Sequence, residues 1–389
     1  MLLNTRKNLL ALSVGTLSLL AASSLQAADL TVNKTDIDLY GYAKLDLIYD
    51  VDADLGNTII RSKIRLDDED GVDGHTNMHA FQSRLGLKTS TPVAGDTLKT
   101  VIEGDFYGNN GFGGGGGEFR LRHAYGTWNG ILAGQTWSNF GNVLSLYQTV
   151  DFNGSLGQGG GRQAQVRYTT GPFSFSAEDP EGSGAAGGDI QADGTNQYRL
   201  PDLTARYQSS VGPVKYAAAA LVRFLEYDAE GSDTANPNWD DDSATGWGLM
   251  VEANTKLTDS ITIRGSISHG DGIGGYIYLS PAGPGYVDGD GNLETIEATG
   301  GGVSMTVNAG PGAFNLGYGL VIADLDDGYE SGDIAATTDE RYSSTFVNYI
   351  WSPFEQLTYG VEAGYHTREQ VNGDEGDAVR LQAMIQYGF

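Results

Sequence analysis

A sixteen-stranded antiparallel transmembrane β-barrel is the fold class this 389-residue sequence predicts, and three observations predict it. Past the N-terminus, segment after segment alternates apolar and polar residues with period two, which is strand patterning. Short and long connections between the segments also alternate, as in barrels with tight periplasmic turns and long external loops. No run of 18 apolar residues follows the N-terminus, so no helix is offered to span a bilayer. A mean hydropathy of -0.27 fits the same class, because half of every barrel strand faces water.

The elements follow in order. "MLLNTRKNLLALSVGTLSLLAASSLQA" carries Arg6 and Lys7, an apolar stretch from Leu9 to Ala22 and a small-residue end at Ala27. Those are the three regions of a secretory signal peptide. Residues 1–27 are therefore expected to be removed, leaving 28–389 as one barrel domain. Strands are predicted over 37–49, 78–90, 97–107, 119–128, 131–137, 162–169, 173–178, 202–208, 214–225, 244–256, 261–269, 303–309, 313–323, 341–351, 357–368 and 378–389. Tight turns such as Asn129–Gly130 and Gly310–Gly312 join alternate pairs, while 50–77, 138–161 and 270–302 are long loops. All ten prolines are expected outside strands, Pro92 in the first short turn, because the ladder needs its N–H groups. The absence of cysteine excludes a disulfide scaffold and thiolate metal sites. A soluble β-sandwich fits poorly, since twenty-residue loops on alternate connections only would be odd there.

Each strand presents one lipid-ready face. Phe314, Leu316, Tyr318, Leu320 and Ile322 alternate with Asn315, Gly317 and Gly319. In the last strand Val379, Leu381, Ala383, Ile385, Tyr387 and Phe389 share one face, an aggregation-prone edge unless closure pairs it on both sides. Aromatic residues gather near the short turns, and Trp351, Tyr387 and Phe389 are expected in an interfacial girdle. Tyr387 and Phe389 are further expected to be the signal that the barrel-assembly machinery reads. Outer-membrane lipid and lipopolysaccharide would surround such a barrel.

The formal charge is -27, yet its placement is uneven. Strand phase turns inward Lys44, Arg84, Lys88, Lys99, Arg120, Arg122, Arg167, Arg206, Lys215, Arg223, Lys256, Arg264, Arg368 and Arg380. The inward acids are Asp38, Asp46, Glu103, Asp105, Glu178, Glu252 and Glu362. A basic lumen in an acidic chain suits a water-filled channel for small anionic solutes, because a low-dielectric wall focuses its field. The other reading of these arginines is that they pair with lumen carboxylates and stiffen the wall. The acidic loops, "DDEDGVD" among them, read as solvated charge, and a chain of this charge has no nucleic-acid partner. "DGDGNLE" at Asp288–Glu294 resembles the start of a calcium loop but lacks its glycine at the sixth place and has Thr299 where the bidentate glutamate belongs. No metal or cofactor is predicted. Loop 138–161 is apolar with a single carboxylate, Asp151, so it is expected to fold into the lumen or to pack on a neighbouring subunit.

Catalysis is not expected. His75, His79, His123, His269 and His366 are scattered, and no G-x-S-x-G elbow is present. A structural or adhesive barrel without solute flux, or a barrel hydrolase, are the alternatives to a porin.

"YGYAKLDLIYD", "SRLGLKTSTPVAGDTLKTVIEGDFYG", "FRLRHAYGTWNGILAGQTWSNF", "VDFNG", "VNYIWSPFEQLTYGVEAGYHTRE" and the closing "QYGF" resemble the DcaP-like porins, trimeric sixteen-stranded porins of Gram-negative outer membranes. The resemblance implies a homotrimer, passive diffusion of small anions such as dicarboxylates, and a third loop, 138–161, folded into the pore. By position it implies a constriction whose basic wall is Arg84, Arg120, Arg122 and Arg167, with Asp151 on the loop opposite. Lys44, Lys88, Arg206, Arg264, Arg368 and Arg380 would be further lumen charges. Some members carry a coiled-coil segment after the signal, for which the stretch between Ala27 and the first strand leaves no room.

Overall fold

The computed structural model describes residues 30–389 apart from 33, 68, 158–160, 182–194 and 230–239; the predicted signal peptide lies outside the described residues. Sixteen antiparallel strands close into a barrel. They are β1 Thr35–Asp50, β2 in two segments (His75–His79 and Arg84–Val93), β3 Asp96–Gly108, β4 Glu118–Trp128, β5 Ile131–Trp137, β6 Arg162–Thr170, β7 Phe173–Glu178 and β8 Asp202–Val211. There follow β9 Val214–Asp228, β10 Asp242–Lys256, β11 Ile261–Asp271, β12 Glu297–Ala309, β13 Gly312–Ala323, β14 Asp339–Phe354, β15 Leu357–Gln370 and β16 Glu375–Gly388.

The terminal edge does not exist as an edge. β16 pairs with β15 on one side and with β1 on the other, from Tyr42↔Gly388 to Asp50↔Arg380. Phe389 and Gly41 exchange both backbone hydrogen bonds, at 3.1 and 3.2 Å. Gly41 is required there: a Cβ would meet the Arg84 carbonyl oxygen at 2.2 Å and the Phe389 ring at 2.8 Å. At the β4–β5 hairpin, Asn129 and Gly130 both have positive φ, 48° and 80°, the turn whose twist matches the flanking strands.

Outward positions are apolar and exposed, as a lipid-facing surface must be: Leu45, Leu47, Leu249, Val251, Phe314 and Leu316 are examples. Phe314, Tyr349, Trp351 and Tyr359 stack in sequence on this outer face, with centroids 4.6, 5.4 and 5.4 Å apart. Tyr387 is 58% and Phe389 40% exposed. Two of the described prolines depart from expectation, and one of them, Pro353, falls near the end of β14 at the register break between Trp351 and Phe354. Pro92 is the penultimate residue of β2, paired with Thr97, rather than a turn residue. It is tolerated because β1 pairs with β2 only as far as Ser90, so the missing N–H faces no neighbour strand.

The described residues of loop 3 (138–157 and 161) fold into the lumen, as its apolar composition predicts. The described residues of loops 1 (51–74) and 6 (272–296), expected to stand outside, fold in as well. Phe140 and Leu156 of loop 3 pack with Ile273, Tyr276 and Ile277 of loop 6 against an apolar inner wall of Ala219, Leu221, Met250, Ala298 and Val321. Leu55, Ile59 and Ile64 of loop 1 pack with Tyr147 of loop 3 against the inward side chains Phe346 and Ala378. Burying these residues removes apolar surface from water, worth roughly 25 cal/mol per Å². Loops of solvated charge would have had no such gain. The segment likened to a calcium loop is the turn of a small hairpin between Gly285–Val287 and Leu293–Thr295, where the Asp288 carboxylate accepts from the backbone of Asp290 and Asn292.

Candidate functional site

The loops that fold in leave a cavity of about 1280 Å³ in the lumen. Its charged lining is Lys44, Arg61, Arg84, Arg120, Arg122 and Arg162 against Asp151 and Asp339. Strand pairing builds the basic wall. Arg84 of β2 lies opposite Asp105 of β3, and Asp105 opposite Arg120 of β4. Period two then puts Glu103 and Arg122 on the same inner face.

These groups are tightly paired. Arg120 grips Asp105 with two contacts, 3.0 Å from Nε to Oδ1 and 2.7 Å from Nη2 to Oδ2. Arg122 reaches Glu103 at 2.9 Å and Asp105 at 3.1 Å, and Arg84 lies 3.4 Å from Glu103. Three guanidinium groups thus face two carboxylates, a net single positive charge. Aromatic rings hold the same arginines from behind: Arg120 lies over Phe112 at 4.6 Å and Arg122 over Phe152 at 5.4 Å.

Two further arginines carry charge into the cavity. Arg162, the first residue of β6, stands 5.0 Å over the Trp137 ring and has no carboxylate within ion-pair distance among the described residues. Arg61, in loop 1, donates from Nε to Ser344 Oγ at 2.9 Å and from Nη2 to the Asn153 carbonyl at 3.3 Å, both neutral partners. Burial presses its pKa down to about 10, with Asp151 pulling it back, so it is a cation at neutral pH. Tyr278 of loop 6 stands in the field of Arg162, Arg120, Arg61 and Arg122; burial raises its pKa, and its hydroxyl donates to Asn153 Oδ1 at 2.7 Å. Both arginines escaped the sequence. Counting by twos from Arg167 turns Gln163 and Gln165 inward and Arg162 out, but alternation fails where the chain enters β6 from loop 3. Arg61 sits in a loop expected outside.

The four arginines assigned to the constriction do not all meet. Arg84, Arg120 and Arg122 line the cavity together. Arg167 is not part of that lining; it donates to the Trp137 carbonyl at 2.5 Å and to Gln165 at 2.9 Å. Nor does Asp151 face them across open water. It is 2% exposed, 3.0 Å from Arg380, and accepts from the backbone N–H groups of Ile59 and Asn153.

The other lumen charges divide into struts and unpaired groups. Arg380 binds Asp50 twice, at 2.7 and 2.8 Å, and the Gly56 carbonyl at 2.7 Å. Arg223 pairs with Asp202 at 3.0 Å, and Arg368 with Asp339 at 2.6 Å while donating to the Ile64 carbonyl. Arg206 binds Glu252 and, at 2.8 Å, the Gly141 carbonyl; Lys44 pairs with Asp46 and donates to the Val150 carbonyl at 2.8 Å. Each of these cations ties a loop to the wall. Lys88 instead lies 3.9 Å over the Tyr40 ring, and Arg264 donates to Thr306. The basic excess is smaller than strand phase alone gives. β1 runs on to Asp50 and β14 starts at Asp339, adding inward acids that the predicted strands left out.

Among the described residues, the Ser–His geometry that a hydrolase needs occurs once, in an enclosed form. Ser344 Oγ is 2.9 Å from His366 Nδ1, but the residues are 1% and 0% exposed and neither lines the cavity. Arg61 donates to the same oxygen, so that hydroxyl points its proton at the histidine. No substrate reaches this pair.

A family model described as "DcaP outer membrane protein" matches residues 11–389. The crystal structure of the outer membrane channel DcaP of Acinetobacter baumannii is 28% identical, with a TM-score of 0.78 over 94% of this chain and 100% of that one. An anion-selective porin from Comamonas acidovorans is 13% identical with a TM-score of 0.58, over 91% of this chain and 100% of that one. OmpF of Salmonella typhi, in complex with daunomycin, is 11% identical with a TM-score of 0.53, over 92% and 98%. At those identities the last two share the fold alone. No curated protein matches the sequence significantly.

Proposed function

Because the chain belongs to the DcaP outer membrane protein family, porin-like channels of the Gram-negative outer membrane, we propose that it is a homotrimeric, water-filled pore for passive diffusion of small hydrophilic solutes that favours anions such as dicarboxylates. The observation that carries this reading is the cavity lining, six basic residues against two acids. Pairing cancels much of that charge, so the selecting field comes from Arg162, from Arg61 and from the surplus of the Arg84, Arg120 and Arg122 group. Inside a low-dielectric wall even a few uncompensated charges act strongly on a passing ion.

Arg162→Glu tests it. In a planar bilayer with a salt gradient, the zero-current potential should move toward cation selectivity, most clearly at low salt, where the Debye length is long. An inserted mutant channel with unchanged ion preference would remove Arg162 from the permeation path, and a chain that inserts without conducting would favour a structural or adhesive barrel.

The same reading covers delivery. Residues 1–27 act as a cleaved export signal, Trp351, Tyr387 and Phe389 form part of the interfacial girdle among lipid and lipopolysaccharide, and the assembly machinery reads the last strand. Deleting Phe389 should lower the amount inserted in the outer membrane while leaving export of the precursor unchanged; membrane fractions at wild-type levels would refute it.

A further inference from the structure

Loop 3 is fastened to the wall by buried carboxylates that accept from its backbone. Asn139 N–H donates to Glu178 at 2.8 Å and Ser145 N–H to Glu252 at 2.9 Å. Val150 and Asp151 N–H both donate to Glu362, at 2.8 and 2.9 Å. The third clamp differs from the second. Glu252 has Arg206 as a counter-ion, whereas Glu362, 7% exposed, is held by neutral donors only, the third being the Asn348 amide at 2.8 Å. It also fastens the part of the loop that matters most, since Gln148, Thr149, Asp151, Phe152 and Asn153 all line the cavity.

We propose that Glu362 is the positioning residue of loop 3, and that its ionised carboxylate keeps the channel open by holding residues 148–153 against the wall. Two carboxylate oxygens can accept from two N–H groups at once. A neutral acid holds them less well, because its hydroxyl oxygen is a poorer acceptor and its own hydrogen enters a site whose three partners, Val150 N–H, Asp151 N–H and the Asn348 amide, are all donors. No nearby charge substitutes for it. From loop 3 the facing groups are Asp151 and the neutral Tyr147 hydroxyl. On β1 Lys44 is engaged by Asp46, and on β16 Arg380 is engaged by Asp50 and Asp151, with Gln382 opposite Glu362 in register. On β14 the partner is the amide of Asn348. Arg61 of loop 1 is held by Ser344 and Asn153. The clamp extends further, because Asp151, once placed, ties loop 3 to loop 1 through Ile59 and to Arg380. Acidification therefore frees the stretch that narrows the pore.

The test uses the full chain in two readouts. In planar bilayers the wild-type current, steady in mildly alkaline medium, should break into brief closures as the medium is acidified. Glu362→Gln puts a donor permanently where the acid would put its hydrogen, so it should show closures in mildly alkaline medium too and lose the pH dependence. A steady Glu362→Gln current with the wild-type pH profile overturns the proposal. The second readout needs no current and covers a variant that fails to insert. The sequence has no cysteine, so a nitroxide on Leu146→Cys, in loop 3 and exposed to the cavity, reports that loop alone. Its mobility should rise on acidification in an otherwise wild-type chain, and a label equally immobile across the range overturns the clamp. Absence of current in every form would count against the channel reading, while the label still decides this one.

Discussion

One side of the lumen is built like the core of a soluble protein and the other like an electrolyte-filled wall. On the first side, β9–β13 turn Ala219, Leu221, Met250, Ala298 and Val321 inward, and loops 3 and 6 cover them with Phe140, Leu156, Ile273 and Ile277. On the second, β2–β4 turn paired arginines and carboxylates inward, of which Arg84 and Arg120 stay partly exposed to the cavity. The two sides are joined by arginines of one kind and differ in arginines of another. Arg380, Arg223, Arg206 and Arg368 are struts with buried partners, while Arg162 has none. The same residue type therefore does two jobs, and the presence of a carboxylate within reach decides which.

The contrast breaks most readily at a strut. Arg380→Leu leaves Asp50 and Asp151 buried without a counter-charge, which costs about 3–5 kcal/mol. Heated detergent gels should show the barrel opening at a markedly lower temperature, while Arg162→Leu, which strands no carboxylate, should lower it much less. Equal loss in both would erase the distinction. A smaller effect is expected from the packed side. Leu156→Ala opens a cavity worth about 2–5 kcal/mol of loop packing. It should raise protease cleavage in loops 3 and 6 and leave the zero-current potential where it was, since no charge moves. Smallest is Asp151→Asn. The amide oxygen still accepts from the Ile59 and Asn153 N–H groups, and Arg380 keeps its double grip on Asp50. The amide NH2 then faces Arg380 donor to donor, so a loss of about 1–3 kcal/mol, the cost of one unpaired buried donor, is expected with no change in ion preference. A clear anionic shift in that mutant would mean that Asp151 faces the solute after all.

The strands were legible because lipid demands an apolar face at every second residue, and the pairing of β16 on both sides followed from the same alternation. Loop 3 was legible for the opposite reason: it has too few charges to stand in water. Loops 1 and 6 hid their inward residues. Leu55, Ile59 and Ile64 precede "DDEDGVD", and Ile273, Tyr276 and Ile277 are diluted by glycine and aspartate, so composition averaged over the loop conceals them. A signal for the packed side was present in "AAAALV" at 217–222, apolar on both faces, which a strand between lipid and water would not be. Arg162 could not be found by counting, since side-chain parity is lost at the first residue of a strand, where the chain comes in from the loop. Which carboxylate each arginine meets depends on register between strands far apart in sequence, and no local pattern encodes it.

The seam between β1 and β16 also bears on how the molecule comes into being. Every other neighbouring pair of strands follows in chain order and can form as a hairpin or across one loop, whereas this pair joins segments from opposite ends of the ring. Contacts so distant in sequence carry the largest loop-closure entropy and form last. Until they do, the growing sheet has two live edges, with Leu45 and Leu47 on one and Leu381 and Ile385 on the other, able to recruit any passing strand. A folding route that is safe only at its final step needs those two edges shielded throughout, so survival in the aqueous compartment is a matter of escort and timing as much as of final stability.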